Sequence, residues 1–223
     1  MSHIACPVCR TECSAFADVK QTVTYHACPG CGYWFKAPDH HPGLSEQKTR
    51  YDLHENDPDD PGYRAYFQRF LDWVLPQIPV GGRALDFGSG ASGLLASMLA
   101  EAGFDAMRYD PIYHPDERYR KERYDLIVST EVFEHLSDPL AVLRELASLL
   151  KPGGFLAIQT QFHPEDETAF LQWYYRLDPT HIGFFVPRTF QRMGAEPGLI
   201  YLGDDGRNKV LLRQGSGLSP RDR

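Results

Sequence analysis

Arg83-Ala-Leu-Asp-Phe-Gly-Ser-Gly-Ala-Ser-Gly93 is a short apolar strand that runs into a glycine-rich turn, and the apolar stretch Leu94 to Ala102 follows at once with the length of a helix. Glycine lets a backbone approach a ligand that a Cβ would hold off, and the first N–H groups of a new helix have no partner within it. The two features together make a nucleotide cradle. Gly88, Gly90 and Gly93 satisfy the spacing G-x-G-x-x-G, and Asp110 lies roughly 20 residues on, where an acid that takes ribose hydroxyls belongs.

Asp86 sets the sign of the ligand. It stands two residues before the first glycine, at the end of the strand. A carboxylate there repels a pyrophosphate and attracts a ligand that carries an ammonium and a sulfonium. The segment Leu85-Asp-Phe-Gly-Ser-Gly90 resembles motif I of the class I S-adenosylmethionine (SAM)-dependent methyltransferases. Three later segments are similar to that family in order: Tyr109-Asp110-Pro111 to the end of its second strand, Tyr124 to Glu131 to its fourth, and Leu150-Lys-Pro-Gly-Gly154 to the turn entering its fifth. The likeness covers roughly residues 63 to 213 and implies a Rossmann-like fold with SAM as cofactor.

The five cysteines all fall within the first 31 residues. Cys6-Pro-Val-Cys9 and Cys28-Pro-Gly-Cys31 are two C-x-x-C knuckles at the spacing of a tetrahedral zinc site, with β-like segments between them. This reads as a zinc ribbon over residues 1–37. A disulfide framework is the alternative, but the rest of the chain holds no cysteine to staple. Cys13 is then a bystander, and His3 and His26 are surface histidines.

A net charge of −7 lacks the basic footprint of a protein that grips long nucleic acid. It favours a small-molecule substrate. No apolar run approaches the roughly 18 to 20 residues of a membrane span, and Met1 to Cys6 is no signal peptide, so the expectation is a cytoplasmic protein without membrane contact.

Residues 38–62, rich in Pro, Asp and His, read as a linker that covers the site. Phe67, Phe70, Leu71, Val74 and Leu75 recur at helical spacing, which predicts a helix over Tyr63 to Ile78, lying across the sheet. Strands are expected at 84–87, 106–109, 126–130 and 155–160, with helices at 93–102 and 139–150. This alternation makes an α/β, doubly wound, mostly parallel sheet. An antiparallel pair at 199–202 and 210–212 closes it, and 214–223 is a frayed tail.

Only fifteen residues separate Asp110 from the strand at Leu126, too few for the usual third strand and its helix. The sheet is therefore expected to be shortened. The family's adenine-binding acid has no counterpart, and Tyr109, Pro111, Ile112 and Tyr113 are the candidate adenine contacts. The run Arg118 to Arg123 alternates charge sign and reads as a solvated face.

Ligands bind such sheets at the carboxyl ends of the strands, which gathers Asp86, Gly88, Gly90, Asp110 and Thr130 around one cleft as the cofactor site. Glu131, Glu134 and His135 follow at i, i+3 and i+4 and share a face if helical. Downstream, Leu177-Asp-Pro-Thr-His-Ile-Gly-Phe-Phe185 supplies His181. The set resembles the divalent-metal site of small-RNA 2′-O-methyltransferases, and its first part resembles ubiquinone-pathway O-methyltransferases. That likeness implies Mg²⁺ or Mn²⁺ on Glu131, Glu134, His135 and His181, lowering the pKa of an acceptor hydroxyl. The other reading has Glu134 and His135 orient the helix without metal. In either case Glu131, His135 and His181 are the candidate catalytic residues. Within Phe162 to Tyr175, the aromatics Phe170, Trp173, Tyr174 and Tyr175 read as core or as a substrate lid, and His163 is expected to play no part.

The function expected is methyl transfer to a small molecule, most readily at oxygen. The alternatives are an RNA methyltransferase that uses the ribbon to grip RNA, and a non-catalytic adaptor whose ribbon binds a protein partner. A nicotinamide oxidoreductase needs a substrate domain for which there is no sequence.

Overall fold

The computed structural model describes residues 4–52 and 57–215, apart from the side chain of Leu44. His3 and most of the expected tail lie outside them; Gln214 itself ends a strand. The chain opens with strands β1 (Ile4–Ala5), β2 (Glu12–Asp18), β3 (Val23–Ala27) and β4 (Trp34–Lys36), which pair in antiparallel order. Helices α1 (Leu44–Tyr51) and α2 (Pro61–Val74) follow. The stretch read as a linker thus carries a helix of its own and the start of the next. Periodicity missed α1 because it is a polar segment, with its exposed positions given to Ser45, Glu46, Lys48 and Thr49.

Then come β5 (Arg83–Phe87), α3 (Leu94–Glu101), β6 (Asp105–Tyr109), β7 (Tyr124–Thr130), α4 (Pro139–Leu149), β8 (Leu150–Gln159), α5 (Glu167–Gln172), β9 (Gly183–Phe184), α6 (Pro187–Ala195), β10 (Leu199–Asp204) and β11 (Lys209–Gln214). The large sheet has six strands in the order β10-β11-β8-β7-β5-β6. Its β6, β5, β7 and β8 run parallel, and β11 and β10 close it antiparallel. Among the described residues no strand stands beyond β6. A turn of 3₁₀ helix, Glu117–Lys121, replaces the missing unit. Within the segment read as a solvated face, Tyr119 is wholly buried and packs on Tyr109 and Phe87.

Strands with both faces covered read as continuous apolar runs, and Leu126, Ile127 and Val128 of β7 are all fully buried. Phe67, Phe70, Leu71 and Val74 of α2 join Leu95 and Met98 of α3 against one face of the sheet. Leu143 and Leu146 of α4 join Phe190 and Met193 of α6 on the other. Each such side chain contributes about 1.5–3 kcal/mol on burial. The helix α4 starts where Asp138 accepts a hydrogen bond from the Ala141 N–H and Pro139 presets the first turn.

The small sheet does not end with the four N-terminal strands. β4 pairs antiparallel with β9, far along the chain, with Trp34 opposite Phe184 and Phe35 opposite Gly183. One side-chain expectation is corrected in the same sheet. His26 is buried and stacks on Phe35 rather than facing solvent. His163 is buried as well, and its Nε2 lies 2.9 Å from the Gly32 carbonyl.

Candidate active site

A cleft of about 1140 Å³ opens at the carboxyl ends of β5, β6, β7 and β8, with α1 and α2 as its outer wall. One half is built from the glycine turn. Asp86 is 2 % exposed, and its Oδ2 has no hydrogen-bond partner. Burial pushes its carboxyl up to about 7, against the pull of a hydrogen bond from the Ala96 backbone. An orphaned buried carboxylate oxygen that borders a cavity calls for a donor or a cation from the ligand.

Gly88 and Gly90 do different work. Both hold positive φ, +81° and +61°. A Cβ on Gly88 would lie 2.2 Å from Val132 Cγ2, so this glycine serves packing under the turn. A Cβ on Gly90 would meet nothing within 4 Å and would project into open space. Gly90 therefore leaves room for a ligand to lie against the backbone.

Asp110 is held by its own turn. Its Oδ1 accepts the N–H groups of Ile112 and Tyr113 at 2.9 Å, and its Oδ2 accepts that of Gly90 at 3.0 Å. Oδ2 keeps acceptor capacity toward the cleft, whereas the two N–H groups already occupy Oδ1. Pro111, Ile112 and Tyr113 line the same half, and the Tyr113 hydroxyl donates to Asp52 at the end of α1. Tyr109 belongs instead to the core, stacked on Phe87.

The second half surrounds Thr130 and Glu131. The helical face expected for Glu131, Glu134 and His135 is absent. Glu131 sits in the left-handed region at φ 54°, and only Phe133–His135 form a single 3₁₀ turn. A non-glycine residue held there costs about 1–3 kcal/mol, which concentrates at functional positions. The backbone twist turns the Glu131 side chain to two tyrosines. Tyr66 donates to Oε1 at 2.7 Å and Tyr175 to Oε2 at 2.8 Å. Tyr175 also lies against Glu134, and Gln159 against Tyr66.

Burial, reinforced by the neighbouring Glu134, pushes the Glu131 carboxyl up to about 8, and burial raises that of Glu134. Glu134 Oε2 has no partner. His135 and His181 stand side by side with ring centroids 4.8 Å apart. Nδ1 of His135 is 3.0 Å from the Thr180 carbonyl and Nδ1 of His181 is 2.7 Å from that of Tyr175. A carbonyl only accepts, so each Nδ1 carries the proton and each Nε2 is left with its lone pair. Burial, with His135 beside it, lowers His181 to about 3, so both rings are neutral at pH 7.

Two groups of side chains have the geometry to hold a metal among the described residues. One is Cys6, Cys9, Cys28 and Cys31; the other is Glu134, His135 and His181. In each the candidate ligand atoms lie within 4.8 Å of one another. The Cys6–Cys31 and Cys9–Cys28 sulfur pairs are 3.6 and 3.3 Å apart, near the roughly 3.8 Å edge of a tetrahedron with Zn–S bonds of about 2.3 Å. Cys13 stays outside the group, and burial pushes its thiol up to about 12.

Residues 60–202 match the family model described as a methyltransferase domain. The chain belongs to the class I SAM-dependent methyltransferases. Among curated relatives, the methyltransferase is 35% identical over 119 residues to a ubiquinone biosynthesis O-methyltransferase of Cereibacter sphaeroides, covering 43% of this chain and 47% of the relative. It is 26% identical over 164 residues to that of Aeromonas salmonicida, covering 58% and 68%. The match thus spans about half the length of the first of these relatives.

Among solved structures it resembles magnesium protoporphyrin IX methyltransferase from Synechocystis PCC 6803 with bound SAH, at TM-score 0.51 and 14% identity over 77% of this chain and 94% of the other. It also resembles a chain of the complex between the Haloferax volcanii Trm112 methyltransferase activator and the putative methyltransferase, at TM-score 0.55 and 15% identity over 74% and 97%. These two likenesses are of fold. No helix among the described residues is long and apolar enough to cross a membrane.

Sequence reasoning missed Tyr51, Tyr66 and Asp178, which all line the cleft. Tyr66 packs at the edge of the apolar stripe of α2, four residues before Phe70, and brings a hydroxyl to that edge. That was the only signal available. The aromatic segment 162–175 divides between two roles. Phe170 is fully buried in the core, while Tyr174 and Tyr175 line the cleft.

Proposed function

We propose that this methyltransferase is an active enzyme that transfers the SAM methyl group to a hydroxyl of a small, uncharged acceptor. The observation that carries this reading is the charge of the cleft. Its single lysine, Lys48, is paired with Asp52 at 2.6 Å, its two histidines are neutral, and Asp178 adds a negative charge. Nothing among the described lining residues offers a free cation to a carboxylate or phosphate. A neutral hydroxyl instead meets the free Nε2 atoms of His135 and His181 as acceptors, and the tyrosine-anchored Glu131 beside them.

Asp86, Gly88, Gly90, Asp110 and Thr130 form the cofactor side in this reading. Bound SAM supplies a methyl group on a sulfonium that is already a good leaving group, so the chain's task is alignment. Tyr66 and Tyr175 hold Glu131 in one orientation, and the Thr180 and Tyr175 carbonyls fix the two imidazole tautomers. A divalent cation would be held by Glu134, His135 and His181. Two imidazoles and one carboxylate suit Mn²⁺ better than Mg²⁺, which prefers oxygen. Glu131 has both oxygens bonded to tyrosines and stands apart from that set. Cys6, Cys9, Cys28 and Cys31 hold one structural zinc.

The test is methyl transfer from labelled SAM to a panel of catechol, benzyl alcohol, benzoate and bulk tRNA. Label on the uncharged hydroxyls and not on benzoate is the outcome expected. Label on tRNA alone would establish the RNA reading, and SAM binding without transfer to any member of a widened hydroxyl panel would favour the adaptor.

A further inference from the structure

Tyr175 and His181, which form one wall of the acceptor half, lie on a segment that the N-terminal sheet grips at three places. Between them and after them the chain is tied at 176, at 178–179 and at 182–184. The Arg176 guanidinium pairs with Asp18 at the end of β2, both side chains being about 95 % buried. The Lys36 ammonium, on β4, donates to the Asp178 and Pro179 carbonyls at 3.0 and 3.3 Å, and this lysine is only 4 % exposed. The Lys36 N–H donates to the Ile182 carbonyl at 2.9 Å, and the Ile182 N–H in turn donates to the Glu134 carbonyl at 2.8 Å. A main-chain relay therefore runs from β4 to the residue beside His135.

The packing follows the same route. Tyr25 and Trp34 of the small sheet share one apolar cluster with Phe170, Tyr175 and Phe184. Tyr33 leaves room only for glycine at 183, since a Cβ there would lie 2.4 Å from its hydroxyl. A lysine buried against two carbonyls is costly unless its geometry is needed, because the ammonium loses its hydration. The cofactor half is built differently, by the turns after β5 and β6.

We infer that the four-cysteine module is a positioning element for the acceptor half: through β4 and Lys36 it holds the 174–184 segment so that Tyr175 and His181 face Glu131, Glu134 and His135. Lys36 is the positioning residue. The inference rests on the reading that the acceptor binds in that half. It means that loss of the module's fold disables acceptor engagement while SAM still binds.

Lys36→Met keeps the length and removes both ammonium hydrogen bonds. Hydrogen exchange by mass spectrometry, SAM affinity by calorimetry and steady-state transfer to catechol are measured on the full chain. The expected result is exchange in 174–184 at least tenfold faster, SAM affinity within twofold, and a catechol KM raised at least tenfold with a smaller change in kcat. Thr189→Val is the control: Thr189 bonds the Cys31 carbonyl at 2.9 Å but lies outside the segment, and it should leave 174–184 unchanged. Unchanged exchange in Lys36→Met, or SAM affinity falling in step with the rise in KM, would overturn the inference. Should Lys36→Met not fold, the full chain carrying Cys6→Ser and Cys31→Ser, which leaves the Glu134, His135 and His181 cluster untouched, gives the same three readouts, with the same outcomes for and against. A wild-type chain that binds SAM and transfers to no hydroxyl acceptor instead sinks the functional reading, and the exchange data still decide whether the module anchors the segment.

Discussion

At the scale of single residues, burial decides more than residue type. Asp86 and Asp110 are both acids at strand ends that border the cleft, yet one has an orphaned oxygen and the other is satisfied by three backbone N–H groups. The raised Asp86 carboxyl gives a pH dependence with a definite sign. Without ligand, its folded value near 7 exceeds the ordinary carboxylate value, so its contribution to stability falls as pH rises toward 7. A cationic ligand favours the ionised form. SAM affinity should therefore weaken as pH drops through about 7, approaching tenfold per unit below it. Calorimetry in buffers of different ionisation enthalpy should also show proton release on binding near pH 7. A flat affinity between pH 5.5 and 8 would remove Asp86 from the ligand. The two glycines of the turn separate in the same way. Gly88→Ala and Gly90→Ala each force a left-handed residue, at about 1–2 kcal/mol, but only the Gly88 variant drives a methyl into Val132. The Gly88 variant should lose more thermal stability, whereas the Gly90 variant should lose SAM affinity with a smaller shift in Tm.

At the scale of elements, the N-terminal strands are too few to bury a core of their own, and a metal on the four thiols would close the gap. One zinc per chain is expected by elemental analysis. The double variant Cys6→Ser, Cys31→Ser should lose it, and cleavage by a protease should then appear within residues 4–37, since so small a module does not hold without its metal. Full zinc retention in that variant would place the metal elsewhere. The element that sequence described least well is the segment 131–135. Its spacing fits a helix, but the chain turns sharply at Glu131, and a single 3₁₀ turn still brings Glu134 and His135 to one place. Side-chain spacing was a sound guide to proximity there and a poor guide to backbone.

At the scale of the whole molecule, the small sheet and the large one share more than a linker. β4 with β9, the Asp18–Arg176 pair and the aromatic cluster around Phe170 join them. With metal bound, the described chain should unfold in one cooperative transition by calorimetry, and two separated peaks would show independent units. Phe170→Ala, which empties the shared cluster, should destabilise that single transition by about 3–5 kcal/mol rather than split off an N-terminal one.

The sequence by itself determined the parts whose physics is local. The strand, glycine turn and helix around residues 83–101, the alternation that makes a parallel sheet, the missing third strand and the two cysteine knuckles were all legible, because each is set by backbone freedom, apolar period or ligand spacing within a few residues. The family likeness rests on the first two of these, within residues 60–202, and not on the cysteine knuckles. What only the tertiary structure decided depends on residues far apart in the chain: α1 as a wall of the cleft, Tyr66 and Tyr175 on Glu131, His26 and Tyr119 in the interior, and β9 completing the sheet of the cysteine module. Polar side chains such as these carry no period, and whether they are buried or bonded is settled only when the chain brings their partners to them.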